Sequence, residues 1–173
     1  GMDFLERIKG WFKGIEIIAE DLGILTDEVR RLLKESGFPG MKVLEFAFDN
    51  SRTSDYLPYK YDKNCVCYAG THDNATLKEW KETGDKAEIA FAKEYFGITG
   101  RSSFNFGIIK GGMASTADLF ITQMQDYLEL GKEARTNVPG VADGNWKWRM
   151  KKGAATDKLA EKIAHITEMY GRA

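Results

Sequence analysis

The chain has 173 residues, enough for about one domain with a buried core. Hydrophobic residues make up 43% and charged residues 29%, with three prolines, which excludes a disordered or low-complexity chain. The formal net charge of −1 gives no electrostatic reason to expect nucleic acid or an anionic membrane surface as a partner.

Strand and helix patterns alternate along the chain. Four short apolar runs predict buried strands: Ile15–Glu20, Met41–Phe48, Cys65–Ala69 and Ala117–Gln123. Thr26 caps a helix with an acidic first turn, and Gly37 and Pro39 end it. Further helices are predicted at Leu77–Glu82, at Asp85–Phe96, at Phe106–Gly112 and after a Thr156 cap, with a loop from Gly131 to Arg149.

Apolar strands that alternate with helices predict parallel βα units in an α/β fold, with both faces of the sheet covered. The chain offers four such units. A complete eight-stranded barrel needs about 250 residues, so the chain is too short to close one by itself.

Two acidic clusters follow predicted strands, where parallel α/β folds gather functional groups. Glu20 and Asp21 close the first strand, and Asp73 follows the third, between His72 and Asn74. Glycoside chemistry needs two carboxyl groups around one sugar, an acid/base with a raised pKa and a carboxylate that stays ionised. A Glu-Asp-Leu-Gly turn is equally typical of a helix start, so spacing alone leaves both interpretations open.

A series of longer sequence motifs favours the catalytic interpretation. The motifs are Ile18–Gly23 (IAEDLG), Phe38–Met41 (FPGM), Gly70–Asn74 (GTHDN), Ala117–Leu119 (ADL), Asn137–Gly140 (NVPG) and Gly144–Arg149 (GNWKWR). In this order and at these intervals they resemble the carboxyl-terminal part of the 4-alpha-glucanotransferases, the amylomaltase or disproportionating-enzyme family. The resemblance runs from about Ile15 to the end of the chain.

The resemblance implies part of an amylase-like (β/α)8 barrel, with residues 1–173 as a single partial domain of about strands five to eight. It implies transfer of α-1,4-glucan segments between maltooligosaccharides by a retaining mechanism, with no cofactor and no metal. Glu20 matches the general acid/base of the family, and Asp73 matches the carboxylate that stabilises the transition state. The residues matched to substrate binding are His72, Asn74, Asn137, Pro139 and Gly140.

The nucleophilic aspartate of the family lies after the fourth strand, upstream of residue 1. A retaining mechanism needs that group for its covalent intermediate, so we expect the chain alone to be inactive. The alternative is a non-catalytic glucan-binding or remnant half-barrel that self-associates. The resemblance implies an α-1,4-glucan as the ligand. Because a half-barrel has unpaired edges, the expected protein partner is either a second copy or a missing amino-terminal half, and neither nucleic acid nor a membrane is expected as a partner.

Two positions depart from the family pattern. Val141 stands where the family usually has threonine, and Ala75 stands where it usually has an acidic residue. The first change removes a hydroxyl and the second removes a charge near the expected cleft. Either lineage variation or relaxed constraint explains both.

The sequence leaves two interpretations for each of two groups of aromatic residues. Trp146 and Trp148 alternate, so they share a face if the segment is extended; they either stack on sugar rings or pack in the core or at an edge, and packing is the preferred interpretation. The tyrosines of the loop between residues 49 and 64 form either a sugar platform or a hydroxyl-rich surface, and the surface is preferred. They are Tyr56, Tyr59 and Tyr61.

The cellular compartment is inferred from the cysteines and the amino end. Cys65 and Cys67 are two residues apart, too close for an unstrained disulfide, which favours two buried thiols in a reducing compartment. The amino end has no apolar signal core, and no apolar run approaches about 18 residues, the length of a membrane span. Gly1 before Met2 is typical of a residue left by a removed tag. We therefore expect a cytoplasmic protein.

Overall fold

The computed structural model describes residues 1–23 and 25–173. These ranges hold seven α-helices and three strands, besides three short 3-10 helices. In chain order they are α1 (Met2–Trp11), α2 (Asp27–Ser36), β1 (Gly40–Val43), β2 (Cys65–Tyr68), α3 (Leu77–Thr83), α4 (Lys86–Tyr95), α5 (Phe104–Met113), β3 (Leu119–Ile121), α6 (Met124–Tyr127) and α7 (Asp157–Met169). No helix within the two ranges has both the length and the apolar character needed to span a membrane.

The three strands form one parallel sheet in the order β1-β2-β3. The register aligns Met41 with Val66, and Tyr68 with Ile121. The prediction of an α/β fold with parallel strands is therefore confirmed. Since β2 has a neighbour on each side, the turn that follows it is surrounded by the segments that follow β1 and β3.

The two faces of the sheet differ in how well they are covered. Cys67 and Phe120 face the helices, where Phe120 packs against Gly112 of α5. Side chains alternate along a strand, so Leu119 and Ile121 lie on the opposite face. There Leu119 is 45% exposed and Ile121 37% exposed. Large side chains fully buried in the main core include Leu44, Phe48, Leu57, Leu77, Ile108 and Ile109.

Local signals in the sequence set the ends of two helices as predicted. Thr26 caps α2 by accepting the N–H of Val29 at 3.4 Å, and Gly37 ends the helix in a left-handed conformation with φ of 69°. Thr156 caps α7 by accepting the N–H of Leu159 at 3.2 Å. Helix α1 had no counterpart in the sequence patterns, and none of its residues is buried.

The strand predicted over Ile15–Glu20 is not formed, and the described sheet has three strands instead of four. The backbone N–H of Ala19 donates to the Pro39 carbonyl at 2.9 Å. The next donor of β1, the Met41 N–H, is bound by Asp21 Oδ1 at 2.5 Å. A side-chain carboxylate thus takes the place of a strand carbonyl, so no ladder forms. The predicted strand Met41–Phe48 is also shorter, because a 3-10 turn begins at Leu44.

The two cysteines are free and buried on β2, as predicted. Burial raises the pKa of Cys65 to about 11 and that of Cys67 to about 12. Both thiols therefore stay protonated at neutral pH, which makes them poor nucleophiles. They fill space in the sheet.

Candidate functional site

The turn Gly70–Asn74, which follows β2, is held in one shape by its own side chains. Asn74 Oδ1 accepts hydrogen bonds from the Thr71 backbone N–H at 2.9 Å and from the Thr71 hydroxyl at 2.7 Å. Gly70 lies against a buried acid, and a Cβ at this position would be 2.6 Å from Glu45 Oε1. Only glycine allows this approach without displacing the carboxyl group.

His72 and Asp73 meet Asn137 on the exposed side of this turn. Asn137 Nδ2 donates to Asp73 Oδ1 at 2.6 Å, and His72 Nε2 lies 3.2 Å from the same oxygen. The Asn137 backbone N–H also donates to the His72 carbonyl at 3.1 Å. The side chains of His72 and Asp73 are 53% and 47% exposed. The structure thus brings together three predicted site residues, which we call the Asp73 cluster, and leaves them open to a ligand.

Arg135 binds the backbone of the same residues from the inner side. Its Nη2 donates to the Asp73 carbonyl at 2.8 Å, and its Nε donates to the Asn137 carbonyl at 3.0 Å. Its Nη1 lies 3.5 Å from Glu79 Oε1, and both side chains of this ion pair are largely buried. Arg135 lies outside the motifs and was not among the predicted site residues. Its position two residues before the Asn-Val-Pro-Gly motif was the available signal.

Two glutamine side chains after β3 bind the two segments that carry the Asp73 cluster. Gln123 Nε2 donates to the Thr71 carbonyl at 2.9 Å. Gln125 Nε2 donates to the Ala134 carbonyl at 3.1 Å and to Thr136 Oγ1 at 3.0 Å. The turn after β2 and the segment before Asn137 are therefore both bound to the carboxyl end of β3.

Trp146 lies beside the Asp73 cluster. Its ring centroid is 4.9 Å from that of His72, and its backbone N–H donates to the Thr136 carbonyl at 2.7 Å. The side chain remains 57% exposed. Trp146 therefore contacts a site residue while keeping a large part of its surface free, so it is not a core residue, and both edge packing and stacking on a sugar ring stay open.

Pro139 and Gly140 form the tip of a turn near this tryptophan. The Val141 N–H donates to the Val138 carbonyl at 3.2 Å, and Gly140 has a φ of 79°, which favours glycine. Asn145 Oδ1 accepts the Val138 N–H at 2.9 Å and so closes the loop. Both tip residues are exposed, and in the described ranges no hydrogen bond joins them to the Asp73 cluster.

The loop tyrosines do not form a shared platform. Tyr61 is buried and donates its hydroxyl to the Tyr56 carbonyl at 2.8 Å, whereas Tyr59 is exposed. Tyr61 therefore belongs to the core, which neither of the two interpretations had foreseen.

Glu20 lies outside the Asp73 cluster. It is exposed and follows the irregular segment that replaces the first predicted strand. Burial raises the pKa of the Tyr68 phenol, and the nearby negative charge of Glu20 raises it further. Glu20 is thus near the end of β2. Within the described residues, no hydrogen bond or ion pair joins it to Asp73.

Two buried acids, Glu79 and Asp126, and the half-buried Glu45 lie behind the cluster. Burial raises the pKa of Glu45 well above its ordinary value; the charges of Asp126 and Glu79 raise it further, and Arg135 opposes them. Burial raises the pKa of Asp126 to about 6, although the Leu77 N–H at 2.8 Å stabilises its charged form. The positive charge of Arg135 therefore faces an interior rich in carboxyl groups, and its partner there is Glu79.

The groups in and around the Asp73 cluster suit a sugar better than a metal. In residues 1–23 and 25–173, no set of three or more His, Cys, Asp or Glu side chains is placed to hold a metal ion. The cluster offers a carboxylate acceptor, an imidazole and an amide, with an indole ring beside them. These groups bind hydroxyls and stack on apolar ring faces.

Comparisons with known proteins agree on one family. The family model described as 4-alpha-glucanotransferase matches residues 1–156. The 4-alpha-glucanotransferase of Clostridium butyricum is 48% identical over 172 residues, which are 99% of this chain and 35% of that protein. The 4-alpha-glucanotransferase of Synechocystis is 40% identical over an alignment of 174 positions, which covers 99% of this chain and 34% of that protein.

A solved structure gives the same result for the fold. The amylomaltase from Streptococcus agalactiae in complex with acarbose superposes with a TM-score of 0.93 at 34% identity, covering 99% of this chain and 35% of that one. The chain thus spans about a third of the length of the relatives it matches. On this evidence the chain belongs to the 4-alpha-glucanotransferase family.

Proposed function

We propose that residues 1–173 form one partial domain, the four βα units around strands five to eight of a 4-alpha-glucanotransferase barrel. The other strands come from residues outside this sequence. Two observations support this arrangement. The chain matches 35% of the amylomaltase structure, and Leu119 and Ile121 of the sheet face that would line the barrel are partly exposed. In this arrangement Ile15–Glu20 lies at the position of the fifth strand, with a strand from outside this sequence on its other side.

The proposed reaction transfers an α-1,4-glucan segment with retention of configuration. Glu20 gives a proton to the leaving glycosidic oxygen and later accepts one from the hydroxyl of the acceptor glucan. The Asp73 carboxylate binds hydroxyls of the donor glucose and stabilises the positive charge of the transition state. The carboxylate that forms the covalent glucosyl intermediate comes from outside residues 1–173, so these residues alone do not complete the first half of the reaction.

The Asp73 cluster is the observation that carries this proposal. Asp73 shares one carboxylate oxygen with Asn137 and His72, so the groups that would bind one sugar are already together. In the proposed subsite Asn74 also binds hydroxyls, and the Pro139–Gly140 turn forms one wall. The ligand is an α-1,4-glucan, which is the substrate class of the family, and its binding needs no cofactor or metal.

A complementation assay tests the proposal. The chain is mixed with the part of the Clostridium butyricum enzyme that it does not match, and glucose release from maltotriose is measured. We expect turnover from the mixture and none from either piece. Glu20→Gln and Asp73→Asn should each lower the rate by about a thousandfold, because each removes a group that acts in the transition state.

The control for this assay is Glu161→Gln, which changes an exposed carboxylate on α7 and should leave the rate unchanged. Turnover by the chain alone would contradict the proposed origin of the nucleophile. Full activity of the Asp73→Asn mixture would contradict the role of Asp73.

Exposed apolar residues beside the edge strand β1 support association with another protein chain. Ile15 is 62% exposed and Ile18 40% exposed, beside the edge strand β1. We propose that a second copy covers this surface when the rest of the barrel is absent. Sedimentation at micromolar concentration should show a dimer or larger species, and a stable monomer would contradict self-association.

The non-catalytic alternative makes a separate prediction. A glucan-binding half-barrel would bind maltoheptaose in calorimetry but gain no turnover in the complementation assay.

The cytoplasm is the proposed compartment, because the two cysteines are free thiols and the reducing cytosol keeps thiols in that state.

A further inference from the structure

Arg135 occupies a position that neither the family motifs nor the proposed reaction explains. Three of its nitrogens point to three different partners: the Asp73 carbonyl, the Asn137 carbonyl and the Glu79 carboxylate. Asp73 and Asn137 are also the two residues whose side chains bond each other at 2.6 Å. Asp73 and Asn137, which are 64 residues apart in sequence, are therefore joined twice at one place: Arg135 connects their backbones, and a direct hydrogen bond connects their side chains.

The chemistry of this junction requires a guanidinium group. The planar fork of arginine donates in several fixed directions, whereas a lysine ammonium is a compact point charge on a flexible stem. Glu79 orients the guanidinium from the protein interior; the residue is 6% exposed and lies in the first half of α3. Helix α3 is itself fixed, because Asp126 Oδ1 accepts the Leu77 N–H at its start.

We propose that Arg135 is a positioning residue of the glucan site, which clamps the backbone of Asp73 to that of Asn137 so that both side chains face the same sugar. The buried Glu79 holds the guanidinium in the orientation that this clamp requires. The proposal rests on the proposed function of the Asp73 cluster, and it adds a residue that does not itself touch the sugar.

The clamp acts before any ligand arrives. Without it, two hydrogen bonds still join the segments, the exposed one between the Asn137 and Asp73 side chains and the one from the Asn137 N–H to the His72 carbonyl, and we expect these alone to hold the turn less firmly. The His72 ring then loses its defined position against Trp146, at present 4.9 Å between centroids. The position of His72 therefore reports the state of the clamp in the free protein.

Nuclear magnetic resonance of the histidine rings tests the clamp without glucan. The chain has two histidines, His72 at the site and His165 on α7, so each variant carries its own internal reference. In Arg135→Lys, we expect the ring signals of His72 to move as the ring current of Trp146 is lost, while those of His165 stay in place. Glu79→Gln should move the His72 signals in the same direction by a smaller amount.

Arg172→Lys is the matched control. Arg172 is also partly buried and donates to three backbone carbonyls, those of Met113, Ser115 and Ala117. These lie before β3, at the opposite end of the sheet from Asp73. We expect Arg172→Lys to reduce thermal stability and to leave the His72 signals unchanged.

Calorimetric titration with maltoheptaose connects the clamp to the ligand. Arg135→Lys should raise the Kd about tenfold, and Arg172→Lys should leave it within about twofold. If the unmodified chain binds no maltoheptaose, the proposed function fails for the isolated chain, while the histidine signals still decide the clamp.

Two results would overturn the clamp. Unchanged His72 signals in a folded Arg135→Lys variant would show that the Asp73 turn keeps its shape without the fork. Loss of folding in both Arg135→Lys and Glu79→Gln, monitored by circular dichroism, would show that the pair supports the whole fold instead of this site.

Discussion

The regions around Asp73 and Glu20 differ in how completely this chain builds them. The turn that carries Asp73 is bonded to Asn137, Arg135 and Gln123, which come from segments more than 50 residues away. Glu20 follows a segment whose Ala19 makes one backbone hydrogen bond to Pro39. The first region is ordered by its neighbours on both sides, and the second lies beyond the edge strand.

This difference follows from the position of each region in the sheet. Strand β2 is central, so the turn after it can bond to groups that follow β1 and β3. The segment Ile15–Glu20 lies outside β1 and has apolar side chains that remain exposed. A turn that follows an inner strand can therefore bond to groups from both neighbouring strands, whereas a segment beyond an edge strand has a neighbour on one side only.

The largest predicted change in the free energy of unfolding comes from a substitution in the interior behind Asp73. Asp126→Ala removes the acceptor of the Leu77 N–H at 2.8 Å and of the Thr122 hydroxyl at 3.1 Å. A buried donor without a partner then remains at the start of α3. We expect the free energy of unfolding to fall by about 3 kcal/mol, measured by urea denaturation. A fall below about 1 kcal/mol would show that water replaces the carboxylate.

The pH dependence of stability gives the second prediction. Burial raises the pKa of Asp126 to about 6 in the folded chain, above its unfolded value. The folded state therefore binds the proton more tightly, and this contribution is fully present below about pH 4 and is lost as the pH rises through about 6. Burial raises the pKa of Glu45 as well, so both groups act in the same direction.

The variant Asp126→Asn isolates the contribution of Asp126, because the amide oxygen still accepts the Leu77 N–H. Between pH 7 and pH 4, wild type should gain about 2 kcal/mol of unfolding free energy relative to Asp126→Asn. Glu161→Gln, on the exposed surface of α7, should keep the wild-type profile. Parallel profiles for wild type and Asp126→Asn would mean that Asp126 titrates in the folded chain as it does in water.

The third prediction compares two glycines. Gly70→Ala places a Cβ 2.6 Å from Glu45 Oε1 and 3.2 Å from the Asn74 Cβ, and burial restrains the glutamate. We expect a loss of about 1 to 2 kcal/mol in thermal denaturation. At Gly10, in the exposed helix α1, an added Cβ would meet no atom within 4 Å beyond its chain neighbours and the backbone of its own helix, so Gly10→Ala should instead stabilise the chain by up to about 1 kcal/mol. Equal effects at both positions would show that the Asp73 turn is not tightly packed.

Sequence reasoning succeeded where the signal was local. The caps Thr26 and Thr156 and the terminator Gly37 each act within about four residues, so the bounds of their helices could be predicted. The pair Asp73 and Asn137 lay within two recognisable motifs, and the structure brings these motifs together.

Sequence reasoning failed where a contact or a strand depends on residues far away in the sequence. Arg135 bonds to groups 56 and 62 residues away, and no periodicity or cap pattern marks such a residue. The apolar run Ile15–Glu20 has a strand-like composition, but a strand needs a bonded neighbour, and here the Asp21 carboxylate takes the Met41 N–H. Composition predicts the tendency to form a strand, whereas the hydrogen bonds between strands depend on which backbone donors and acceptors of the neighbouring segment are free.

The smallest predicted effect is at Glu20. The residue is exposed, so Glu20→Ala should change the free energy of unfolding by less than about 0.5 kcal/mol. Its neighbour Asp21 accepts the Met41 N–H at 2.5 Å, so Asp21→Ala should cost about 1 to 2 kcal/mol in the same urea titration. A large cost at Glu20 would assign it a structural role like that of Asp21. A negligible cost means that the fold does not need this carboxylate, and any loss of activity after complementation then reports on chemistry alone.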